Sequence, residues 1–155
     1  MKIVYKSNTG FTKRYACTLA NKLNIECLEF NKYKKDNDEV IYMGWVFGNN
    51  IMGYEMMRDN NIKCVIAVGM SYESNENNKL LIETNKIDKE FFYLQGGVDY
   101  KKLKGIKKVM LKLVGKSVIK ENKPENKKMI ELFKNGGDFF DEKKLDKVVK
   151  YINKK

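Results

Sequence analysis

Short apolar segments alternate with polar or amphipathic segments along the first two thirds of the chain. Five segments, apolar or, at residues 26–30, alternating between apolar and polar, are four or five residues long, which is the length of a strand and too short for a helix. The segment around Val65 is apolar throughout, as expected for a central strand of a parallel sheet. The five predicted strands cover residues 2–5, 26–30, 40–43, 64–68 and 91–94.

Helical periodicity separates these predicted strands. Apolar residues recur on one helical face between Tyr15 and Leu23, and Met52 and Met56 mark a second helix over 51–59. A third helix is predicted over 75–85, around Leu80, Leu81 and Ile82. Strands interleaved with helices predict a parallel α/β sheet with right-handed crossovers and helices on both faces. Ligands of such sheets bind beyond the carboxyl ends of the strands.

The last third of the chain is different, because it is basic and helical in pattern. Residues 99–120 contain eight lysines and one acidic residue, Asp99, with apolar residues at helical spacing from Leu103 to Leu113. A further helix follows Pro124 and ends at Gly136–Gly137. We therefore predict one domain over residues 1–155, with 98–137 as a basic helical insertion between the last strand and the last helix.

The chain ends in a strongly amphipathic helix. Asp141 is suited to cap its start, and the apolar residues after it recur at the spacing of a packed helix. We expect this helix to cover the sheet beside the fifth strand. Its apolar positions are Leu145, Val148, Val149 and Ile152.

The loop after the first strand has the composition of an anion site. A helix start offers unpaired backbone N–H groups and partial positive charge, and Gly10 permits close approach of a ligand to the backbone. Hydroxyl groups of the loop add further donors. The alternative is a plain strand–turn–helix connection with a threonine N-cap. The loop reads Ser7-Asn8-Thr9-Gly10-Phe11-Thr12.

Aromatic residues follow two of the other predicted strands. Trp45 and Phe47 lie in a predicted loop, Gly44–Asn50, and Tyr72 lies in the loop after the fourth strand. In a sheet ordered 2-1-3-4-5 these loops and the anion loop are neighbours at one edge. We therefore predict a planar ring held among these aromatic residues beside a terminal phosphate. The alternative is that Trp45 and Phe47 plug the sheet edge and that Tyr72 is an ordinary surface residue.

Composition narrows the chemistry and the compartment. The chain has no histidine, which excludes histidine triads and the common zinc sites. Three cysteines without a C-x-x-C pair, together with the absence of a long apolar segment, predict a reducing cytoplasm and no membrane span. The formal net charge of +11 favours acidic partners, although a lysine-rich solvated surface is the simpler explanation.

The loop Ser7–Thr12 resembles the phosphate loop of flavodoxins, and the order of strands and loops is similar over the whole chain. The resemblance implies FMN, with its phosphate on residues 7–12 and its isoalloxazine between the Gly44–Gly48 and Gly69–Glu73 loops. It implies no catalytic acid–base side chain, and it implies that a glycine near the reactive edge could undergo a redox-linked peptide flip. The implied ring contacts are Gly44, Trp45, Val46, Phe47, Gly48, Met70, Ser71 and Tyr72.

Within that superfamily, Gly96–Tyr100 and its basic continuation resemble the flavodoxin-domain proteins akin to menaquinone-dependent protoporphyrinogen dehydrogenase. This resemblance implies electron transfer to a redox partner protein or a quinone. The basic segment 99–120 would then be a substrate lid, a contact with an anionic membrane surface, or packing. No residues for a porphyrin are recognisable, and the strong basicity departs from acidic electron-carrier flavodoxins.

A different class of function is a non-redox module that binds a phosphorylated ligand or nucleic acid with the same fold. The basic surface permits such a module. Nucleic acid is not favoured, because the sequence has no interleaving of basic and aromatic residues of the RNA-binding type. We therefore expect a cytoplasmic FMN flavoprotein, with the inner face of the membrane as the alternative location.

Overall fold

The computed structural model describes residues 1–99 and 127–154, and between them residues 101–103, 105, 109, 112–113, 115–116 and 119–120. The chain divides into two compact units. Unit 1 comprises Met1–Gly96 and Phe140–Lys155, and unit 2 comprises Gly97–Phe139. The prediction of a single domain stays a prediction.

Unit 1 is built on a six-stranded sheet, in which five parallel strands carry the core. Their order is β2-β1-β3-β5-β6, and the two-residue strand β4 pairs antiparallel with β3. Counted without β4, this is the predicted order 2-1-3-4-5 of the flavodoxin-like α/β fold, which is thereby confirmed. The strands are β1 (Lys2–Lys6), β2 (Glu26–Glu29), β3 (Val40–Phe47), β4 (Asn50–Ile51), β5 (Ile62–Gly69) and β6 (Glu90–Gln95).

Helices cover both faces of this sheet and make three layers. On one face, α1 (Phe11–Leu23) and α5 (Asp146–Asn153) bury residues such as Leu19 and Val148 against the strands. On the other, α2 (Tyr54–Met57) and α3 (Asn75–Asn85) contribute Tyr54 and Leu81. Alternate residues of a strand supply the two cores, so Ile41 faces one and Tyr42 the other.

The terminal helix covers the sheet as the sequence predicts. The Asp141 carboxylate accepts a hydrogen bond from the Lys143 N–H at 3.0 Å and caps a short 3₁₀ helix, Glu142–Leu145, which leads into α5. Leu145 is fully buried, and the Tyr151 ring contacts the Phe92 ring of β6 at a centroid distance of 5.6 Å. The predicted packing beside the last parallel strand is therefore confirmed.

Unit 2 contains two short antiparallel strands, β7 (Gly97–Val98) and β8 (Gly137–Asp138), and the helix α4 (Lys127–Asn135). Gly136 follows α4 with φ of 73°, a conformation that ends helices. The described residues from 105 to 120 are helical as well. Ile106 and Met110, two positions of the predicted apolar face, lie outside the described residues. In the described ranges no helix is long and apolar enough to cross a bilayer.

Two predicted elements between β3 and β5 are wrong. The predicted loop Gly44–Asn50 is mostly strand, because β3 continues to Phe47 and turns back through Gly48 and Asn49, both at positive φ. The predicted helix 51–59 shrinks to Tyr54–Met57, since its first residues belong to the hairpin. Consequently Met56, predicted to be buried, is 71% exposed, and Tyr54 and Met57 are buried instead.

Candidate functional site

Three loops meet at the carboxyl edge of the sheet because β1, β3 and β5 are neighbours. Lys6, the last residue of β1, pairs with Gly44 of β3, and Gly44 pairs with Ala67 near the end of β5. The segments that follow these residues are therefore adjacent. They are the loop after β1, the β3–β4 hairpin and the loop after β5, which hold all the residues predicted to contact the cofactor.

The loop after β1 leads into α1 without a side-chain cap. Gly10 is the N-cap, with φ of 102°, and as a glycine it supplies no side-chain cap to the first turn. The Ser7 Oγ instead accepts a hydrogen bond from the Gly10 N–H at 3.2 Å and closes the loop. A Cβ placed on Gly10 would have no atom within 4 Å. The alternative of a threonine N-cap is therefore wrong, and the space beside Gly10, at the start of α1, is open.

The side chains of this loop differ in exposure. Ser7, Asn8, Thr9, Gly10 and Phe11 are half-buried. Thr12, in contrast, is 1% exposed, because α1 begins two residues earlier than predicted and turns this residue inward. Thr12 therefore contributes its backbone N–H to the first turn, and its hydroxyl is withdrawn from the loop surface.

The hairpin presents two aromatic rings on one side of β3. Trp45 and Phe47 lie two residues apart, and their ring centroids are 5.5 Å apart with an interplanar angle of 46°. Both are half-buried, whereas Val46, on the opposite side of the strand, packs against the core. The hairpin thus turns an aromatic surface away from the core that contains Val46.

Gly44 serves the packing of the hairpin. A Cβ on this residue would lie 2.6 Å from the Ile51 Cγ2 and 3.1 Å from the Met52 carbonyl oxygen. Since Gly44 also pairs with Lys6 and Ala67 in the sheet, its backbone is held on both sides. Gly44 therefore lets the hairpin fold back on β3, and the redox-linked peptide flip of a glycine near the reactive edge stays a prediction.

The loop after β5 is fastened to β6 through three consecutive carbonyl groups. Because N–H and C=O of a trans peptide point in opposite directions, the N–H groups of the same three peptides point away from β6. These are the N–H groups of Met70, Ser71 and Tyr72. The hydrogen bonds are Gly96 N–H to Gly69 O at 2.7 Å, Gln95 Nε2 to Met70 O at 3.1 Å, and the Tyr93 hydroxyl to Ser71 O at 2.9 Å.

Tyr72 follows this fastened segment and remains accessible. Its side chain is 44% exposed. The next residue, Glu73, accepts a hydrogen bond from the Lys147 Nζ at 2.6 Å, and Ser74 caps α3. Tyr72 therefore lies between two segments, 69–71 and 73–74, that are both held by hydrogen bonds.

Two buried tyrosines stabilise the hairpin and the loop after β5 through hydrogen bonds to backbone carbonyl groups. The Tyr42 hydroxyl donates to the Met52 carbonyl oxygen at 2.6 Å, as the Tyr93 hydroxyl does to Ser71. Burial raises the pKa of both hydroxyls above the ordinary tyrosine value. Both groups therefore stay protonated, and remain donors, throughout the physiological pH range.

These supporting residues could not be recognised from the sequence. Tyr93 lies in the predicted strand 91–94 and Gln95 directly follows it, and nothing in their sequence context marks them as partners of a loop more than 20 residues away. Gly69 is the one supporting residue with a weak signal in the sequence, because a glycine at the end of a strand can mark a close contact. The contact itself, a collision of a Cβ at this position with the Tyr93 hydroxyl, is visible only once β5 and β6 are paired.

Comparisons with known proteins give little further information about this site. No protein-family model matches the chain, and no curated protein sequence matches it. Among solved structures it is similar to a flavodoxin from the domain Archaea, with 17% identity and a TM-score of 0.41, over 61% of this chain and 83% of that one. The flavodoxin-like fold stated above rests on the strand order.

Proposed function

We propose that this chain binds FMN at the carboxyl edge of its sheet and takes part in electron transfer or oxidoreduction. The observation that carries the proposal is the start of α1. Its first backbone amides have no side-chain cap, and a glycine with open space around its Cβ position precedes them. A terminal phosphate is the kind of group that satisfies such amides.

Residues of the loop after β1 would hold the phosphate. The Ser7 Oγ accepts from Gly10, so its own hydrogen is left to donate, and the Thr9 hydroxyl lies in the same half-buried loop. The residues present therefore fit a dianionic phosphate without a charged side chain. The positive end of the helix dipole would contribute to the same interaction.

The other two loops would orient the ring. Trp45 and Phe47 offer an aromatic wall on the hairpin, and Tyr72 offers an accessible ring on the loop after β5. The row of N–H groups from Met70 to Tyr72 would donate to acceptor atoms of the ring system. FMN, when bound, supplies the redox chemistry, and the protein binds, orients and shields it.

A titration with two flavins tests the proposal. We expect saturable binding of FMN, seen as a shift of the flavin absorbance and quenching of its fluorescence, and weaker binding of riboflavin by roughly tenfold or more. Riboflavin lacks only the phosphate, so the difference isolates the loop after β1. Absence of saturable FMN binding would sink the proposal.

A substitution in the loop refines this test. Thr9→Val should weaken FMN binding and leave riboflavin binding unchanged, because only the phosphate contact is lost. Thr84→Val is a suitable control, since Thr84 is an exposed residue of α3 and lies outside the three loops. If Thr9→Val affects both flavins equally, the phosphate lies elsewhere.

One observation favours a quinone-linked oxidoreductase of the protoporphyrinogen-dehydrogenase type as a second candidate. Unit 2 holds 12 lysines and only 5 acidic residues, which concentrates positive charge in the inserted part of the chain. Such a charge favours an anionic membrane surface, where quinones are found. Reduction of a water-soluble quinone by the FMN-loaded protein, compared with reduction of a protein acceptor, would distinguish this enzyme from a carrier.

A further inference from the structure

The tip of the β3–β4 hairpin has an edge that the sheet leaves unpaired. In a hairpin with a two-residue turn, the pair next to the turn and every second pair exchange hydrogen bonds. Accordingly the Met52 N–H donates to the Trp45 carbonyl oxygen at 2.9 Å. The pair between them is Val46 and Ile51, so the N–H of Ile51 points outward, away from β3.

The side chain of Asn85 pairs with this edge. Its Oδ1 accepts the Ile51 N–H at 2.8 Å, and its Nδ2 donates to the Asn49 carbonyl oxygen at 2.9 Å. These two groups flank Asn50, and a residue of a neighbouring parallel strand makes the same two bonds through its own C=O and N–H. The carboxamide of Asn85 therefore takes the place of one peptide group of a further strand.

All hydrogen-bonding groups of the Asn85 side chain have partners within the protein. Its second Nδ2 hydrogen bonds the Leu81 carbonyl oxygen at 2.8 Å, and the residue is 8% exposed. The partners fix the orientation of the amide, because two carbonyls require the NH₂ group and one N–H requires the oxygen. Both amide hydrogens and the oxygen are thus used within the protein.

Asn85 is itself held in place by its neighbours, so the hairpin that it binds is held as well. It is the last residue of α3, and its own carbonyl oxygen accepts a hydrogen bond from the Arg58 Nη2 at 3.1 Å. The neighbouring Leu81 is buried in the core at 1% exposure. At the turn, the Asn50 Nδ2 donates to the Gly48 carbonyl oxygen at 3.0 Å, so side-chain amides occupy both carbonyls of the turn.

We infer that Asn85 is a positioning residue for the aromatic wall of the proposed site. Its carboxamide holds the β3–β4 hairpin, and with it Trp45 and Phe47, in the orientation described above. The consequence for binding rests on the proposed FMN function; the effect on the hairpin does not. A wall fixed in advance spares the ligand the cost of ordering it.

The single tryptophan makes the inference testable without a ligand. Trp45 is the only tryptophan of the chain and lies on the hairpin. In Asn85→Ala we expect Trp45 of the ligand-free protein to emit at longer wavelength and to be quenched more efficiently by acrylamide. If the binding-competent arrangement falls to a tenth of the population, the apparent affinity for FMN falls about tenfold.

A matched control separates positioning from general loss of stability. Asn60 also uses its Nδ2 for a backbone carbonyl, that of Met57 at 2.9 Å, and lies outside the hairpin. Asn60→Ala should leave the Trp45 emission and the FMN affinity of the folded protein unchanged. Equal effects of the two substitutions, or no effect of Asn85→Ala on Trp45, would overturn the inference.

A second variant covers failure of Asn85→Ala to fold. Asn85→Asp keeps the oxygen that accepts the Ile51 N–H, loses both amide donors and sets a carboxylate oxygen against the Asn49 and Leu81 carbonyls, so a change of Trp45 emission in the same direction is expected. Unchanged emission would overturn the inference here as well. If the unsubstituted protein does not bind FMN, the proposed function fails, while the Trp45 measurements still decide the role of Asn85 at the hairpin.

Discussion

The Tyr15 hydroxyl lies 3.0 Å from the backbone nitrogen of Asp141 and accepts its hydrogen. The same hydroxyl donates to the Gln95 carbonyl oxygen at 2.8 Å. One fully buried side chain of α1 thus joins the end of β6 to the segment that begins the terminal helix. Residues 97–139, which form unit 2, leave and rejoin unit 1 next to these two contacts. The two segments of unit 1 that flank the insertion are therefore held together by Tyr15.

Tyr15→Phe should lower the free energy of unfolding by about 1–3 kcal/mol, because it leaves a buried carbonyl and a partly buried N–H without their partner. The ring remains and keeps its contact with Phe140, whose centroid is 4.5 Å away. Urea denaturation measures the change. Tyr72→Phe is the control, since its 44% exposed side chain should tolerate loss of the hydroxyl. Equal midpoints for the two variants would contradict this prediction.

The loop after β5 gives a second prediction. Tyr93→Phe removes the donor to Ser71 and should loosen the loop that carries Tyr72. We expect faster amide hydrogen exchange over residues 70–73 and weaker FMN binding. Tyr42→Phe, which removes the donor to Met52, is the matched control and should leave exchange in this loop unchanged. If both variants exchange alike over 70–73, the anchoring role of Tyr93 is wrong.

Tyr72 itself is expected to stack on the ring. Tyr72→Ala should weaken FMN binding by about 0.5–1.5 kcal/mol, the contribution typical of an aromatic contact, and Tyr72→Phe should retain most of it. Fluorescence titration measures both. An alanine variant with undiminished affinity would favour the alternative that Tyr72 is an ordinary surface residue.

The amino-terminal end of β1 predicts a pH dependence. The Lys2 Nζ lies 2.5 Å from an Asp36 carboxylate oxygen, and this hydrogen bond lowers the pKa of Asp36. As the pH falls, Asp36 therefore takes up its proton at a higher pH in the unfolded chain than in the folded protein. The contribution of the Lys2–Asp36 pair to stability is complete above about pH 4 and is lost below it. Asp36→Asn should lower the denaturation midpoint at pH 7 and make little difference in strong acid.

The control for this pH dependence is Asp59→Asn, which removes a carboxylate that does not take part in the pair with Lys2. Its midpoint difference from the unsubstituted protein should not follow the same pH profile. A difference for Asp36→Asn that stays constant down to strong acid would show that the Lys2 pair has no part in it.

The basic insertion predicts salt-sensitive binding to anionic vesicles. Lys112, Lys116 and Lys120 are exposed and recur at four-residue spacing, and each lysine near such a surface contributes about 1 kcal/mol. Reversal of these three charges to Glu should abolish co-sedimentation with phosphatidylglycerol vesicles at low salt. The same reversal at Lys32, Lys34 and Lys89, exposed residues of unit 1, should have a smaller effect. Equal losses would indicate attraction by net charge alone.

The local sequence pattern was sufficient to predict the core strands and the terminal helix. Continuous apolar segments marked the core strands, and the spacing from Leu145 to Ile152 marked the terminal helix, because burial on one face imposes a period on the sequence. The loop between the first strand and the first helix was also predicted, since Gly10 and its neighbours are needed locally to start a helix after a strand. These features depend on residues close together in the chain.

The remaining features depend on residues that are distant in the chain. The hairpin was missed because Gly44 looks like a loop glycine until Ile51 is folded against it. Asn85 looks like an ordinary polar residue at the end of a helix until the edge of β4 comes beside it. Sequence by itself determined the five core strands, the helices α1, α3 and α5, and where an anion is expected, since these follow from periodicity and helix ends. Only the tertiary structure decided what holds the loops around that place, because a hydrogen bond between distant residues leaves no periodic trace.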